Sequence, residues 1–179
     1  MAQQPTDQSS GRRVRESETI LAQMMLPTDA NPYGNVHGGS IMKLVDTAGA
    51  TAAARHARKR VVTVMMDSMT FLQPVYVGDL VTVHARLTWT GRTSMEVEVR
   101  VQAEELTSGR VTHTSTAYLV YVALDEHGHP TPVPPLLLET EEERQRWAAA
   151  ERRRAYRLAQ RQTTVPGAPA PSPPSPSGE

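Results

Sequence analysis

The chain has 179 residues, 19 Lys+Arg against 19 Asp+Glu, and no cysteine. Zero formal charge excludes a global pull toward nucleic acid or anionic membrane, and without thiols there is neither a disulfide nor a thiolate zinc site. No apolar run reaches the about 20 residues that cross a bilayer, and the polar start MAQQPTDQSSGRRVRESE lacks the apolar centre of a signal peptide; a cytoplasmic protein of one ordinary domain is expected.

In chain order, residues 1–17 are expected to be disordered, because they offer almost nothing apolar to offset ordering entropy. TILAQMMLP (19–27) reads as a strand, and the turn-rich TDANPYGNVHGG follows. SIMKLVDTAGATAAARHA (40–57) has apolar residues at 41, 44, 45 and 48, the spacing of one helical face. Gly49 weakens that helix but allows close packing. After the basic RKR come four extended segments, 61–73, 79–90, 93–106 and 110–124. MEVEVRV alternates with period two, as a half-exposed strand should. GRTS (91–94) and TSG (107–109) suit hairpin turns.

Residues 139–162, ETEEERQRWAAAERRRAYRLAQRQ, predict a second helix with acids at its start and arginines at its end, which complements the helix dipole. Trp147, Ala150, Tyr156 and Leu158 give it a thin apolar contact. Its charges balance and its aromatics are few, so it is no RNA platform. Residues 163–179 form a Pro/Ser-rich tail that holds no helix or central strand, and disorder is expected. Residues 18–138 are left as the domain. Its order predicts an α+β fold, an antiparallel sheet wrapped around one long helix, with sheet edges that point to oligomerisation.

DANPYGNVHGGSIMKLVD followed by VVTVMMDSMTFLQPVYVGD resembles the hotdog-fold acyl-CoA thioesterases, in the branch of the YciA-type bacterial enzymes and the cytosolic acyl-CoA hydrolases. The resemblance covers about residues 18–160, most of a typical domain. It implies hydrolysis of fatty acyl-CoA to free acid and CoA, with coenzyme A as part of the substrate and no cofactor. It also implies subunits that pair their sheets edge to edge, a homodimer as the minimal active unit, and a trimer of dimers as the assembly. The family's helix aspartate matches Asp46 and its loop asparagine matches Asn31. Some mammalian relatives carry two such domains in tandem, with the Asn functional in one and the Asp in the other. This single-domain chain has both, as expected if a homodimer builds each site twice.

The chemistry fits that reading. Asp46 suits a general base on water or a nucleophile that forms an anhydride; the plainer alternative is a solvated helix carboxylate. Gly38 and Gly39 open the helix, where unpartnered N–H groups favour negative charge and can serve as an oxyanion hole; the plainer alternative is an N-terminal turn that needs glycine's backbone angles. Seven residues separate Gly39 from Asp46, roughly 10 Å along a helix, whereas base and oxyanion donor must both lie within about 3 Å of the reacting atoms. Gly39 of one subunit is therefore expected to face Asp46 of the other. Asn31 is suited to orienting water or carbonyl, or to a turn before Pro32. His37 lends polarity near the thioester or is a packed loop histidine.

For the CoA phosphates the candidates are Arg58, Lys59 and Arg60, with Arg55 beside them, and Arg92; cations at a helix C-terminus also simply suit the dipole. Ser68 lies on the strand that lines the substrate channel in this family, so the resemblance suggests a pantetheine contact. Met65, Met66 and Met69 line an acyl tunnel or belong to the core. His127 and His129 lack a third ligand and read as a surface turn, so no metal is expected. Two other functions compete. An acyl-thioester dehydratase or hydratase would pair the acid with a nearby His, and none follows Asp46 on its helical face. A non-catalytic acyl-CoA-binding sensor would want a DNA-binding module, which the N-terminal segment cannot make.

Overall fold

The computed structural model describes residues 11–164. A two-residue strand β1 (Arg12–Arg13) and a 3-10 turn (Val14–Glu16) lead into β2 (Thr19–Met24). A second 3-10 turn (Pro27–Asp29) precedes the long helix α1 (Gly38–Ala57). Then come β3 (Arg60–Phe71), β4 (Leu80–Thr90), β5 (Ser94–Glu105), β6 (Arg110–Leu124), the short β7 (Leu136–Leu137) and α2 (Glu141–Thr164). The main sheet runs β2-β4-β5-β6-β3, antiparallel throughout. It wraps α1, and α2 lies on its outer face: the expected hotdog architecture with an additional C-terminal helix. No helix among the described residues is long and apolar enough to cross a membrane.

Alternate residues of the central strands meet the helix. Val81, Val83, Ala85 and Leu87 from β4, Val97, Val99 and Val101 from β5, and Ala117, Leu119 and Tyr121 from β6 are all buried. Full burial of a Val or Leu side chain contributes about 1.5–3 kcal/mol. Across from them α1 presents Ile41, Val45, Ala48, Gly49, Ala52 and Ala53. Those small residues let the sheet approach the helix closely. The helix ends at Arg58, which adopts a left-handed conformation at φ 52 and donates its N–H to the Ala54 carbonyl at 2.8 Å.

Two expectations need correction. The first concerns residues 11–17, expected to be disordered. They are docked: Val14 and Ser17 are buried, and β1 pairs in parallel with β7. The Arg12 guanidinium donates to the carbonyls of Arg55 at 3.1 Å and His56 at 2.7 Å, at the negative end of α1. Ladder bonds and a charge on the helix dipole replace the apolar area that the segment lacks. Residues 1–10 and 165–179 lie outside the described residues, while residues 163–164 of the expected tail continue α2.

The second concerns β5. Its acids were expected on a solvent face, yet Glu96 is 0% and Glu98 3% exposed. Helix α2 covers them and brings the counter-charges. Arg153 and Arg157 reach Glu96 at 2.6 and 2.9 Å, Arg157 also reaches Asp67 at 2.7 Å, and Arg146 approaches Glu98 at 3.5 Å. Burial pushes the Glu98 carboxyl up, but Arg100, Arg86 and Arg146 together outweigh it and hold it below its ordinary value. Trp147 packs on Trp89 with ring centroids 6.0 Å apart, and Ala150 is buried. Tyr156 and Leu158, expected in that contact, are exposed. Among the described residues the far edge, β3, pairs with β6 alone and leaves Val62 and Val64 exposed.

Candidate active site

Asp46 is half-buried on α1, where the helix faces β3 and β6. Thr63 Oγ1 donates to its Oδ1 at 2.7 Å. The Tyr121 hydroxyl donates to the same oxygen at 3.3 Å and to the Asp46 backbone carbonyl at 3.2 Å. Thr63 and Tyr121 sit opposite each other in the β3–β6 register, so both side chains leave the sheet on the helix side. Burial, and then the Asp46 charge, push the Tyr121 phenol well above its ordinary value. It is therefore a proton donor at any physiological pH. Asp46 Oδ2 has no hydrogen-bond partner among the described residues.

The helix start forms a second constellation. Asn31 Oδ1 accepts from the backbone N–H groups of Tyr33 at 2.9 Å and Asn35 at 3.3 Å. The carbonyl end of its side chain thus builds the turn, and its amide end has no partner among the described residues. His37 Nδ1 accepts from the Gly39 N–H at 2.9 Å. This splits the glycine pair: the Gly39 donor is used by the helix cap, and the Gly38 N–H has no partner among the described residues. His37 thus caps α1 through Nδ1. An open cleft of 340 Å³ joins Asn31 and Gly38 to Ile41, Phe71, Leu72 and Val75. A larger cavity of 490 Å³, past Gln73 and Pro74, holds none of the expected catalytic residues.

Asp46 does not line the cleft at Gly38. Within one subunit the structure therefore keeps the acid and the helix-start donor apart, as their spacing on one rigid helix requires.

The candidate cations gather at the other end of α1, whose 20 residues span roughly 30 Å. Lys59 Nζ is spent on Thr131 Oγ1 at 2.9 Å and the Pro132 carbonyl at 3.1 Å. Arg55 is likewise engaged, with the Glu18 carbonyl at 2.6 Å. Arg60 begins β3, and the exposed Arg92 lies in the β4–β5 turn. Ser68 pairs with Tyr118, whose ring lies under Arg153 of α2 at 3.7 Å. It stands on the outer face of the sheet, away from Asp46. Met66 and Met69 pack against the core, and Met65 lines a groove beside α2. His127 and His129 sit in a turn organised by Asp125 Oδ1. No group of three or more metal-ligating side chains occurs among the described residues.

Sequence reasoning missed Thr63 and Tyr121, which look like ordinary residues of apolar strands. One signal existed: a tyrosine in an alternating buried strand needs a polar partner for its hydroxyl.

Known proteins resemble this chain in sequence and in fold. The thioesterase superfamily profile matches residues 33–110, a stretch that includes Asp46 and Thr63. The Bacillus subtilis protein named uncharacterized acyl-CoA thioester hydrolase YkhA is 39% identical over 130 residues, which is 73% of this chain and 76% of that protein. A solved apo-hexameric acyl-CoA thioesterase superposes with a TM-score of 0.82 at 38% identity, covering 85% of this chain and 97% of the other. A Staphylococcus aureus acyl-CoA hydrolase, solved with butyryl coenzyme A and coenzyme A, gives a TM-score of 0.79 at 31% identity over 86% of this chain and 93% of its own. Three further structures of that hydrolase carry single alanine substitutions of an Asp, an Asn and a Thr. The chain thus belongs to the thioesterase superfamily, among the hotdog-fold acyl-CoA thioester hydrolases.

Proposed function

We propose that this protein hydrolyses fatty acyl-CoA to free acid and CoA, with Asp46 as general base. The observation that carries this is the state of the Asp46 carboxylate. One oxygen is held by two hydroxyls, and the other has no partner among the described residues. A carboxylate so oriented can take a proton from water. The hydroxide attacks the thioester carbonyl carbon, and the charge that develops on oxygen falls at the open Gly38 N–H, at the positive end of α1. Collapse breaks the C–S bond, and the CoA thiolate takes the proton from Asp46. The open amide of Asn31 helps to orient water or carbonyl. Water is the nucleophile, so no cofactor is needed.

Asp46 and Gly38 of one chain are too far apart for one carbonyl, so the working pair comes from two subunits. The unpaired β3 edge beside Thr63 supports a dimer joined there, and the hexameric relative supports a trimer of dimers. Arg58, Arg60 and Arg92 remain candidates for the CoA phosphates, since Lys59 is already committed. The three residues replaced in the S. aureus hydrolase run Asn, Asp, Thr, with intervals of 15 and 17 residues. Asn31, Asp46 and Thr63 have the same order and the same intervals, which adds Thr63 to the proposed site. The test is release of thiol from acyl-CoAs of increasing chain length by wild type and Asp46→Asn. No release from any of them by wild type would sink the reading.

A further inference from the structure

We infer that Tyr121, on the central strand β6, is a positioning residue that fixes the orientation of the Asp46 carboxylate, and that Gly49 is the residue that admits it. This rests on the reading of Asp46 as the base.

Tyr121 is 0% exposed, so it touches no substrate. Its hydroxyl nevertheless needs a partner, because an unsatisfied buried hydroxyl is costly. It finds Asp46 twice, at the backbone carbonyl and at Oδ1. The bond to the backbone ties β6 to the helix body, and the bond to Oδ1 ties it to the side chain. Together with Thr63 from the neighbouring β3, two hydroxyls from two strands hold the same oxygen. The carboxylate plane is thereby set, and Oδ2 alone remains for water. A carboxylate held by one hydroxyl would turn more freely about its Cβ–Cγ bond, and its open oxygen would be less well aimed.

Gly49 lies three residues beyond Asp46, on the same helical face. A Cβ built there would fall inside van der Waals contact with the Tyr121 hydroxyl and 3.1 Å from its ring. Glycine is unfavourable in a helix interior relative to alanine, and here its missing side chain is the space that the phenol occupies. Gly49 thus belongs to the same device as Tyr121, one turn away from the chemistry.

The experiment uses the full chain and the acyl-CoA that wild type cleaves fastest. The chain has no cysteine, so released thiol reports CoA alone. Tyr121→Phe keeps the ring and removes the two bonds; kcat is expected to fall about tenfold with KM within about twofold, since misplacement of a base lowers the chemical step and not binding. Gly49→Ala is expected to lower kcat similarly in the wild-type background, and to add clearly less in the Tyr121→Phe background, where the colliding oxygen is gone and only the ring contact at 3.1 Å remains. The Asp46 carboxylate 13C resonance is expected to move in Tyr121→Phe at fixed neutral pH. A kcat within about twofold of wild type, independent losses in the double variant, or an unmoved resonance would each overturn the inference. If wild type releases no thiol, the hydrolase reading falls, and the resonance alone decides whether Tyr121 positions Asp46.

Discussion

Thr63 Oγ1 donates to Asp46 Oδ1 at 2.7 Å, joining the edge strand β3 to the helix at its heart. Replacing Asp46 by Asn keeps the shape and removes the base, so kcat for thioester hydrolysis is expected to fall by about 10²–10⁴. KM should change little. Thr63→Val should also lower kcat, while Thr63→Ser, which keeps the hydroxyl, should retain most of it. Steady-state thiol release for the three variants checks this. Equal activity of Thr63→Val and wild type would remove Thr63 from the site.

Sharing of the site between subunits makes a separate demand. An Asn31→Ala chain and an Asp46→Ala chain, each inactive, should regain part of the activity when unfolded together and reassembled. In the mixed dimer one site carries both defects and the other carries neither. Lack of any recovery, with mixed dimers demonstrated by mass spectrometry, would assign each site to one subunit.

Glu96 is fully buried between two arginines of α2. Glu96→Ala leaves Arg153, Arg157 and the Thr88 hydroxyl without their shared acceptor, and breaking a buried pair of this kind costs about 3–5 kcal/mol. Arg153→Ala should cost less, because Arg157 still holds Glu96. Urea unfolding of both variants at one protein concentration tests the order; equal midpoints for Glu96→Ala and wild type would show that α2 is not fastened by this network.

His56 is buried at the end of α1, with Nε2 against the Pro134 carbonyl at 2.9 Å and Arg12 on its own backbone oxygen. Burial pushes its imidazole below the ordinary value of 6.5; the Pro134 carbonyl opposes, the Arg12 charge assists, and Glu16 opposes weakly. Between the two values the unfolded chain binds the proton and the folded chain does not. Stability is therefore held above 6.5 and lost as pH falls below it. Glu98 acts in a lower window, below the ordinary value of 4.5. The thermal midpoint of wild type should drop as pH falls below 6.5, and His56→Gln should flatten that slope. An identical slope in the variant would assign it to other groups.

Much of this arrangement can be read from local pattern. The 40–57 helix, the four long strands and their hairpin turns follow from hydrophobic period and turn chemistry, because both act between residues a few positions apart. Asp46, Asn31 and the glycine pair stand out for the same reason: an acid on an apolar helix, and unpaired donors where that helix begins. Their distance along one rigid helix already argues against a site built from one chain.

Other features depend on what packs against what. The alternation in MEVEVRV describes a strand with two faces, but it cannot say that α2 seals the polar one. Residues 11–17 look featureless because their partners, the α1 C-terminus and β7, lie more than 40 and 120 positions away. His37 takes the Gly39 donor through a side-chain orientation that no spacing rule contains. Thr63 and Tyr121 reach Asp46 across 17 and 75 residues, in a register that bulges on β3 adjust. A bulge turns successive side chains to the other face, so which strand residue meets the acid is a property of the assembled sheet rather than of any stretch of chain.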